Sequence, residues 1–399
     1  MTSFELALFP QESWLGNPGL MTTPLCAILN SRQSKYPHGA DKWVENTVKA
    51  VFQAVQNGYT ILTSTGMKTW ELVLWAATES LGNVVILTGI NQKESRLRLQ
   101  ENLHTIIHDF NLNQADCLFI PYDETGAGLK SKESWHLRDD WIIHTAGKLM
   151  PVAIRKDGFM SSRIQEASTS DKCDFSFKIQ YRANKHVFPS VPEKEEVRHA
   201  LSKIIWNHAV HWTRSNSEPW IGEKKSDFYS ALVNSGTEYC RSAHATVMKI
   251  LEDGCIRGTT WHMPGSKPMV SFSALRPYDF LPMMKWRKRY VRREFEPYGI
   301  AVRKDLLQKL GAQPVAYGER SVLKSINSRE RLFFQTVNPD GEDWSREEEW
   351  RLLGDFEFDS VDLNDLIIFV LDHNEVEKVK EKFDGNVIPL SLSPEFLNN

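Results

Sequence analysis

The sequence predicts an α/β protein: a parallel-sheet domain over residues 1–157, a linker over 158–196 and an α+β domain over 197–399. Three observations carry that reading. Apolar runs of strand length alternate with stretches of 3.6-residue period through residues 25–154, the chain turns polar after Asp157, and helical segments then mix with isolated short strands.

Residues 25–29 are an apolar run ending in Asn30-Ser31-Arg32, and 43–56 has the period of an amphipathic helix. Gly58 closes that helix, 59–62 is a second strand, and Thr63-Ser64-Thr65-Gly66 opens another helix reaching to about Ser80. Further strands follow at 84–87, 117–120 and 151–154, with Gly126 and Gly128 in the polar loop after the fourth. Strands alternating with helices imply right-handed crossovers and a parallel sheet. Phosphate ligands sit at the carboxyl ends of such strands, against backbone N–H groups and helix N-termini. Ser31, Arg32, Ser64, Thr65 and Gly66 are therefore candidate nucleotide-binding residues, although turns and helix caps use the same residue types. Glu71 reads either as a partner for a ribose hydroxyl or as an exposed helix carboxylate.

The expected linker holds Ser161-Ser162, Ser168-Thr169-Ser170 and the Pro-flanked Phe188-Pro189-Ser190-Val191-Pro192, with one short strand at 175–181. Helices are expected at 197–210, 228–232 and 238–253, and strands at 269–272, 299–302, 315–317 and 366–371. Three motifs stand out. His211-Trp212-Thr213-Arg214 precedes the turn Glu218-Pro219-Trp220-Ile221-Gly222. In Val270-Ser271-Phe272-Ser273, period-2 alternation puts both hydroxyls on one strand face. In Glu347-Glu348-Glu349-Trp350-Arg351, an extended chain would put Glu347, Glu349 and Arg351 on one face.

Composition narrows the function classes. No apolar run reaches the roughly 18 to 20 residues of a membrane helix, and no basic stretch with an apolar core opens the chain, so neither export nor a membrane partner is expected. Cys26, Cys117, Cys173, Cys240 and Cys255 are an odd set, which fits reduced thiols and a cytoplasmic location. A net charge of -3 excludes a generally cationic nucleic-acid coat. Locally, Lys285, Arg287, Lys288, Arg289, Arg292 and Arg293 with Trp286 and Tyr290 between them could neutralise phosphates and stack on bases, or form a solvated helix face beside Glu294 and Glu296.

The order of strand, Ser-Arg, helix, strand and small polar loop with glycine resembles the Rossmann-like superfamily of DNA-processing protein A and the lysine-decarboxylase-like nucleotide hydrolases, over about residues 20–157. The hydrolase branch has a glycine-rich loop and a catalytic acidic pair; the 63–69 loop here has one glycine, so the resemblance implies binding or scaffolding. In the second half, an arginine on one strand, Ser-x-Ser on another and Glu-x-Glu later resemble the Arg/Ser/Glu branch of the ADP-ribosyltransferases. That resemblance implies NAD as co-substrate, Arg214 on its pyrophosphate, Ser271 and Ser273 at the nicotinamide pocket and Glu349 against a positively charged ribosyl transition state. The segments 211–222, 250–257, 270–273, 295–302, 311–318 and 344–354 also resemble a family of bacterial phage-defence and DNA-modification clusters, including the cluster that places 7-deazaguanines in DNA. Membership would imply DNA and other proteins of the cluster as partners, and conversion of 7-cyano-7-deazaguanine in DNA to the 7-amido form.

Nitrile hydration needs a nucleophile and a proton donor. Arg214, Glu347, Glu349 and Arg351 would surround the target, with His211 as acid or base, and Trp212, Trp220 and Trp261 could stack on an extruded base; a hydrogen-bonded structural histidine, tryptophans packed in a core, and glutamates that cap a helix or pair with Arg346 and Arg351 explain the same residues. Cys240, beside Glu238, Arg241 and His244, is a candidate thiol nucleophile; Cys240, His244, Cys255 and His262 could hold zinc, though their spacing fits no standard finger and buried packing explains the cysteines as well. Nitrile hydration on DNA is the leading reading and NAD-dependent ADP-ribosyl transfer to nucleic acid or protein the alternative; a third makes the first half a sensor of a phosphorylated nucleotide and the second an effector without turnover.

Overall fold

The computed structural model describes residues 8–90, 96–124, 131–168, 171–182, 186–260, 263–337 and 344–391. The chain forms two compact units, one of Met1–His186 with Gly222–Cys240 and one of Val187–Ile221 with Arg241–Asn399.

The first unit is a Rossmann-like α/β sheet. Its strands are β1 (Leu25–Leu29), β2 (Thr60–Ser64), β3 (Val84–Ile90), β4 (Cys117–Asp123) and β5 (Lys148–Pro151), all parallel, in the order β4-β3-β2-β1-β5. The two-residue strand Leu15–Gly16 adds antiparallel to β4. The crossover helices are α1 (Lys42–Gln56), α2 (Lys68–Glu79), α3 (Arg96–Asp109) and α4 (Ser131–Thr145). Burial on both faces explains why β1 and the first residues of β3 and β4 read as apolar runs, and why even Thr60, Thr63 and Ser64 of β2 are buried. In α1, Trp43, Val44, Thr47, Ala50, Val51 and Ala54 form the buried stripe, whereas nearly the whole length of α2 is buried.

The expected linker over 158–196 is no separate segment: from Val187 on it belongs to the second unit, and up to His186 it is part of this one. Helix α5 (Phe159–Ala167) places Met160 and Ile164 in its core, and Leu149 N–H donates to Lys172 O while Ile179 N–H donates to Val152 O. Its polar surface hid a helix with only two core positions. Thr169, Ser170, Gly126 and Gly128 lie outside the described residues.

In the second unit the expected helix over 197–210 is two elements, α6 (Lys194–Ala200) and β6 (His208–Trp212). Leu201, Ile204 and Ile205 mimic helical spacing, yet Ile205 is 93% exposed in the connecting turn. Beyond β6 come α7 (Lys225–Val233), which belongs to the first unit, and α8 (Ala243–Asp253). Ser242 caps α8, its hydroxyl accepting from Ala245 N–H, and Gly254 ends it at φ 61°, so the helix begins later than the expected 238.

Strands β7 (Met269–Ser273), β8 (Trp286–Arg287), β9 (Arg292–Arg293), β10 (Gly299–Arg303), β11 (Gln313–Pro314), β12 (Glu349–Leu353), β13 (Leu366–Val370) and β14 (Asn386–Pro389) follow along the chain. A seven-stranded sheet runs β11-β12-β7-β6-β10-β13-β14, antiparallel except for β13 with β14. Ala209, Val270, Phe272, Ile300 and Leu352 pack on one face with Val247 and Leu251 of α8; Val210, Trp212, Ala301 and Phe369 pack on the other with Val197 of α6. This is the expected α+β unit.

Candidate functional site: a carboxylate pair ringed by arginines

Register builds the site. Ser271 lies opposite Arg351 and Ser273 opposite Glu349 on β7 and β12, so all four side chains share the sheet face of Val210. Ser271 Oγ donates to Glu349 Oε1 at 2.7 Å, while Arg351 Nε and Nη2 grip the two oxygens of the same carboxylate at 2.9 Å each. The guanidinium is 3% exposed; Nη1 donates to Leu332 O and Nη2 to Gln335 Oε1, both at 3.0 Å. A bidentate pair with two further donors bonded to Leu332 and Gln335 fixes the Glu349 carboxylate in one orientation.

Glu347 reaches the site differently from the extended pattern the sequence suggests. Strand β12 starts at Glu349, and Glu348 adopts φ 47°, a left-handed turn that breaks the alternation. Ser273 Oγ pins this turn by donating to Glu347 O at 2.6 Å. Glu347 Oε1 is buried with no hydrogen-bond partner among the described residues. Burial, then the charges of Glu349 and Glu294, pushes its carboxyl up to about 8, so the pair presents a proton donor beside an anchored carboxylate.

Arg214 follows β6 and lies 3.9 Å from Glu294, whose carboxylate also meets Arg287 at 3.2 Å and Arg292 at 3.7 Å. Next to it, Ser215 is fixed by buried Glu296, which accepts from its backbone N–H at 2.6 Å and its hydroxyl at 3.1 Å; burial raises the Glu296 carboxyl. Tyr317 is a further member: its hydroxyl is buried, and its ionisation is pushed up to about 12 by burial and then by the charge of Glu349, with the Glu349 backbone offsetting part of the rise.

Several expected site residues stand elsewhere. His211 lies opposite Ile300, on the α8 face of the sheet, with its ring 6.0 Å from Phe272. Its Nδ1 is 2.9 Å from Ser271 O, and because a carbonyl only accepts, Nδ1 carries the proton. Burial lowers its basicity, so it is a structural imidazole and not the acid or base beside Glu349. Trp212 is stacked between Phe280 and Phe369 at 5.2 and 5.6 Å, and Trp220 lies under the Arg241 guanidinium at 3.9 Å, so neither ring offers the expected base platform. Trp261 is outside the described residues.

The zinc set is likewise redrawn. Cys255 lies with Asp355 and Glu357, the one group of three potential ligands among the described residues, and not with His244, whose ring is 5.7 Å from Tyr298. Burial and then Glu357 push the Cys255 thiol up to about 12, which keeps it protonated, and Asp355 already accepts from Gly258 N–H and Arg257. Cys240 is half-buried at the end of the first unit, and His262 is outside the described residues.

The basic segment is a hairpin of β8 and β9 and not a helix face. It has two sides. Arg287 and Arg292 turn in toward Glu294 with 8% and 13% of their side chains exposed, and Arg293 donates to Pro189 O at 2.6 Å. Lys285, Trp286, Lys288, Arg289 and Tyr290 are exposed. Sequence patterning counted six equivalent cations and could not distinguish these two sides.

In the first unit the candidate nucleotide loops are occupied by the protein itself. Ser64 is fully buried and donates to Leu87 O at 2.8 Å. Gly66, at φ 86°, donates its N–H to Glu71 Oε1, and that carboxylate also takes Lys225 Nζ at 2.6 Å and Tyr229 hydroxyl at 2.9 Å. Glu71 is 4% exposed; it is neither an exposed carboxylate nor open to a ribose, and it stands where the helix N-terminus would receive a phosphate. Burial opposes its charge, but Lys225 and the other donors hold its carboxyl below the usual value. At the topological switch between β1 and β5, Ala153 N–H donates to Asn30 Oδ1, Arg155 N–H donates to Ser31 Oγ at 3.0 Å, and Arg32 O accepts from Tyr181. These bonds stitch the crevice that an open sheet would offer to a ligand. Thr65 remains half-buried in the loop.

Among the described residues no helix is long and apolar enough to cross a membrane. No family model and no curated protein matches the chain. Solved structures similar to part of it include DNA processing protein A from Streptococcus pneumoniae (16% identity, 39% of this chain and 50% of that one, TM-score 0.30). DNA processing protein A from Helicobacter pylori, described by its single-stranded DNA binding mode, is similar at 11% identity over 60% of this chain and 86% of that one, TM-score 0.28. The molybdenum cofactor carrier protein from Chlamydomonas reinhardtii is similar at 13% identity over 37% of this chain and 73% of that one, TM-score 0.24. The chain thus spans about half the length of the Streptococcus pneumoniae protein it resembles.

Proposed function

We propose that the second unit is an ADP-ribosyl-transfer site acting on NAD, with nucleic acid as the acceptor. The observation that carries this is the Glu349 carboxylate held by Ser271 and Arg351 on the sheet face next to Glu347, with Arg214 after the adjoining strand. Arg214 would bind the pyrophosphate. The bond between C1′ of the ribose and the nicotinamide nitrogen breaks, nicotinamide leaves with the electron pair, and Glu349 stabilises the positive charge at C1′. The acceptor oxygen or nitrogen then bonds to C1′ and passes its proton to Glu349. The exposed side of the β8–β9 hairpin, with Lys285, Lys288, Arg289, Trp286 and Tyr290, supports DNA as the partner, since cations alternate there with stacking rings. Incubation of the purified protein with NAD and single-stranded DNA tests the proposal. Nicotinamide release that is lost in Glu349→Gln supports it, and no release in the wild type sinks it.

A second reading is favoured by Glu347 alone. A carboxyl protonated up to about 8 can donate to an imidate nitrogen while Glu349 takes the proton of a water attacking the nitrile carbon. Hydration of 7-cyano-7-deazaguanine in DNA would add the mass of one water to that base without NAD. An unchanged base disposes of this reading.

A further inference from the structure

A cleft of about 800 Å3 opens in the second unit beside the short strand Phe334–Thr336. Its lining pairs apolar side chains, Met263, Leu323, Leu332 and Phe334, with two exposed cations, Lys324 and Arg331. Neither cation has an ion-pair partner among the described residues. The same lining is joined to the carboxylate pair. Leu332 O and Gln335 Oε1 are the acceptors that complete the Arg351 guanidinium, whose other side grips Glu349.

We propose that this cleft binds a mononucleotide and that its occupancy is felt at Glu349 through Leu332, Gln335 and Arg351. Two cations suit one phosphate, whereas the apolar wall suits the face of a base and would be left bare by inorganic phosphate. The volume falls within the roughly 300 to 1,000 Å3 of small-molecule sites. A ligand that shifts Leu332 or Gln335 moves the acceptors that orient Arg351, and hence the carboxylate. By linkage, a change at Glu349 must be felt equally in the affinity of the cleft. Only the functional meaning of that coupling rests on the proposed ADP-ribosyl transfer.

Calorimetric titration of the full chain with AMP, and separately with inorganic phosphate, tests both parts. Saturable AMP binding is expected, at least tenfold tighter than phosphate. The double charge reversal Lys324→Glu with Arg331→Glu should weaken AMP at least tenfold with an unchanged thermal midpoint, because both side chains are exposed. Glu349→Gln should shift the AMP affinity several-fold, and Gln335→Leu should abolish that shift in the double variant. Absent binding, binding that survives the charge reversal, or phosphate binding as well as AMP overturns the site. An AMP affinity indifferent to Glu349→Gln overturns the coupling. Neither readout uses turnover, so failure of NAD chemistry alone would leave both results standing.

Discussion

Ser271 and Glu349 meet diagonally across neighbouring antiparallel strands, the serine hydroxyl donating to Glu349 Oε1 at 2.7 Å while Arg351 holds the same oxygen at 2.9 Å. Ser271→Ala removes one of the two restraints on that oxygen without touching the core. A hydrogen bond to a charged group contributes about 1.5 to 3 kcal/mol, so kcat for nicotinamide release should fall by roughly 10- to 100-fold. KM for NAD should stay near the wild-type value, because Arg214 is the expected pyrophosphate contact. Steady-state kinetics separates the two.

Glu347 gives the site a pH signature. Its folded carboxyl is raised from 4.5 to about 8, so its protonated form favours the fold. That contribution is complete below about 4.5 and is lost as pH rises toward 8. Glu347→Gln should flatten this slope and raise the urea midpoint at pH 9 relative to the wild type. If the Glu347 proton is used in turnover, as in nitrile hydration, activity should also decline above about 8.

Arg351 is the keystone of the cluster. Arg351→Met keeps the volume but leaves Glu349 without its counter-charge beside Glu347. Breaking one half of a buried pair costs about 3 to 5 kcal/mol, which urea unfolding followed by near-ultraviolet circular dichroism would register as an earlier loss of structure in the second unit. Arg351→Met together with Glu349→Leu should recover much of that loss while remaining inactive.

The fold was legible where periodicity speaks. Buried runs such as 25–29 and 117–120 and the α1 stripe identified a parallel sheet, because burial on both faces leaves few alternatives. Ser271 and Ser273 were legible for the same reason, alternation along a strand. The rest depends on partners distant in sequence. Glu348 at φ 47° is invisible in a run of three glutamates, and only the turn it makes brings Glu347 to Glu349. Glu294, Tyr317 and Gln335 come from loops and short strands with no period, and their placement follows from the β8–β9 hairpin and the β12 edge. In the nucleotide loops the residue types were as expected, but Lys225 and Tyr229, far along the chain, help hold Glu71 in the place of a ligand.

The Glu71 network should therefore act as a structural clasp of the first unit. Glu71→Ala removes the carboxylate shared by Lys225 and Tyr229, with an expected loss of about 1 to 3 kcal/mol by differential scanning calorimetry. Glu71→Gln, which keeps the shape, should lose less. Gain of nucleotide affinity by Glu71→Gln would show that the loop is still able to hold phosphate.

On the hairpin, Lys288→Glu with Arg289→Glu should weaken single-stranded DNA binding and make it less sensitive to salt, the log–log slope falling by about 0.7 for each phosphate that the hairpin no longer neutralises. Arg287→Glu should instead disturb the Glu294 cluster and act on turnover. Equal salt slopes for the wild type and the exposed-side variant, by fluorescence anisotropy, would remove the hairpin from the DNA interface.

The chain leaves the first unit after His186, builds part of the second, and returns for Gly222–Cys240 before leaving again. Helix α7 in that returning segment supplies both Lys225 and Tyr229 to Glu71. During synthesis the sheet of the first unit can assemble early, but its clasp cannot close until residue 229 has cleared the ribosome. A fragment cut at the apparent boundary near residue 157 would emerge with a hydrophobic seam uncovered and a buried glutamate without its cation. Expression of that fragment should end in aggregates, and co-expression of the remainder should not rescue it unless the two pieces meet before the seam finds another copy.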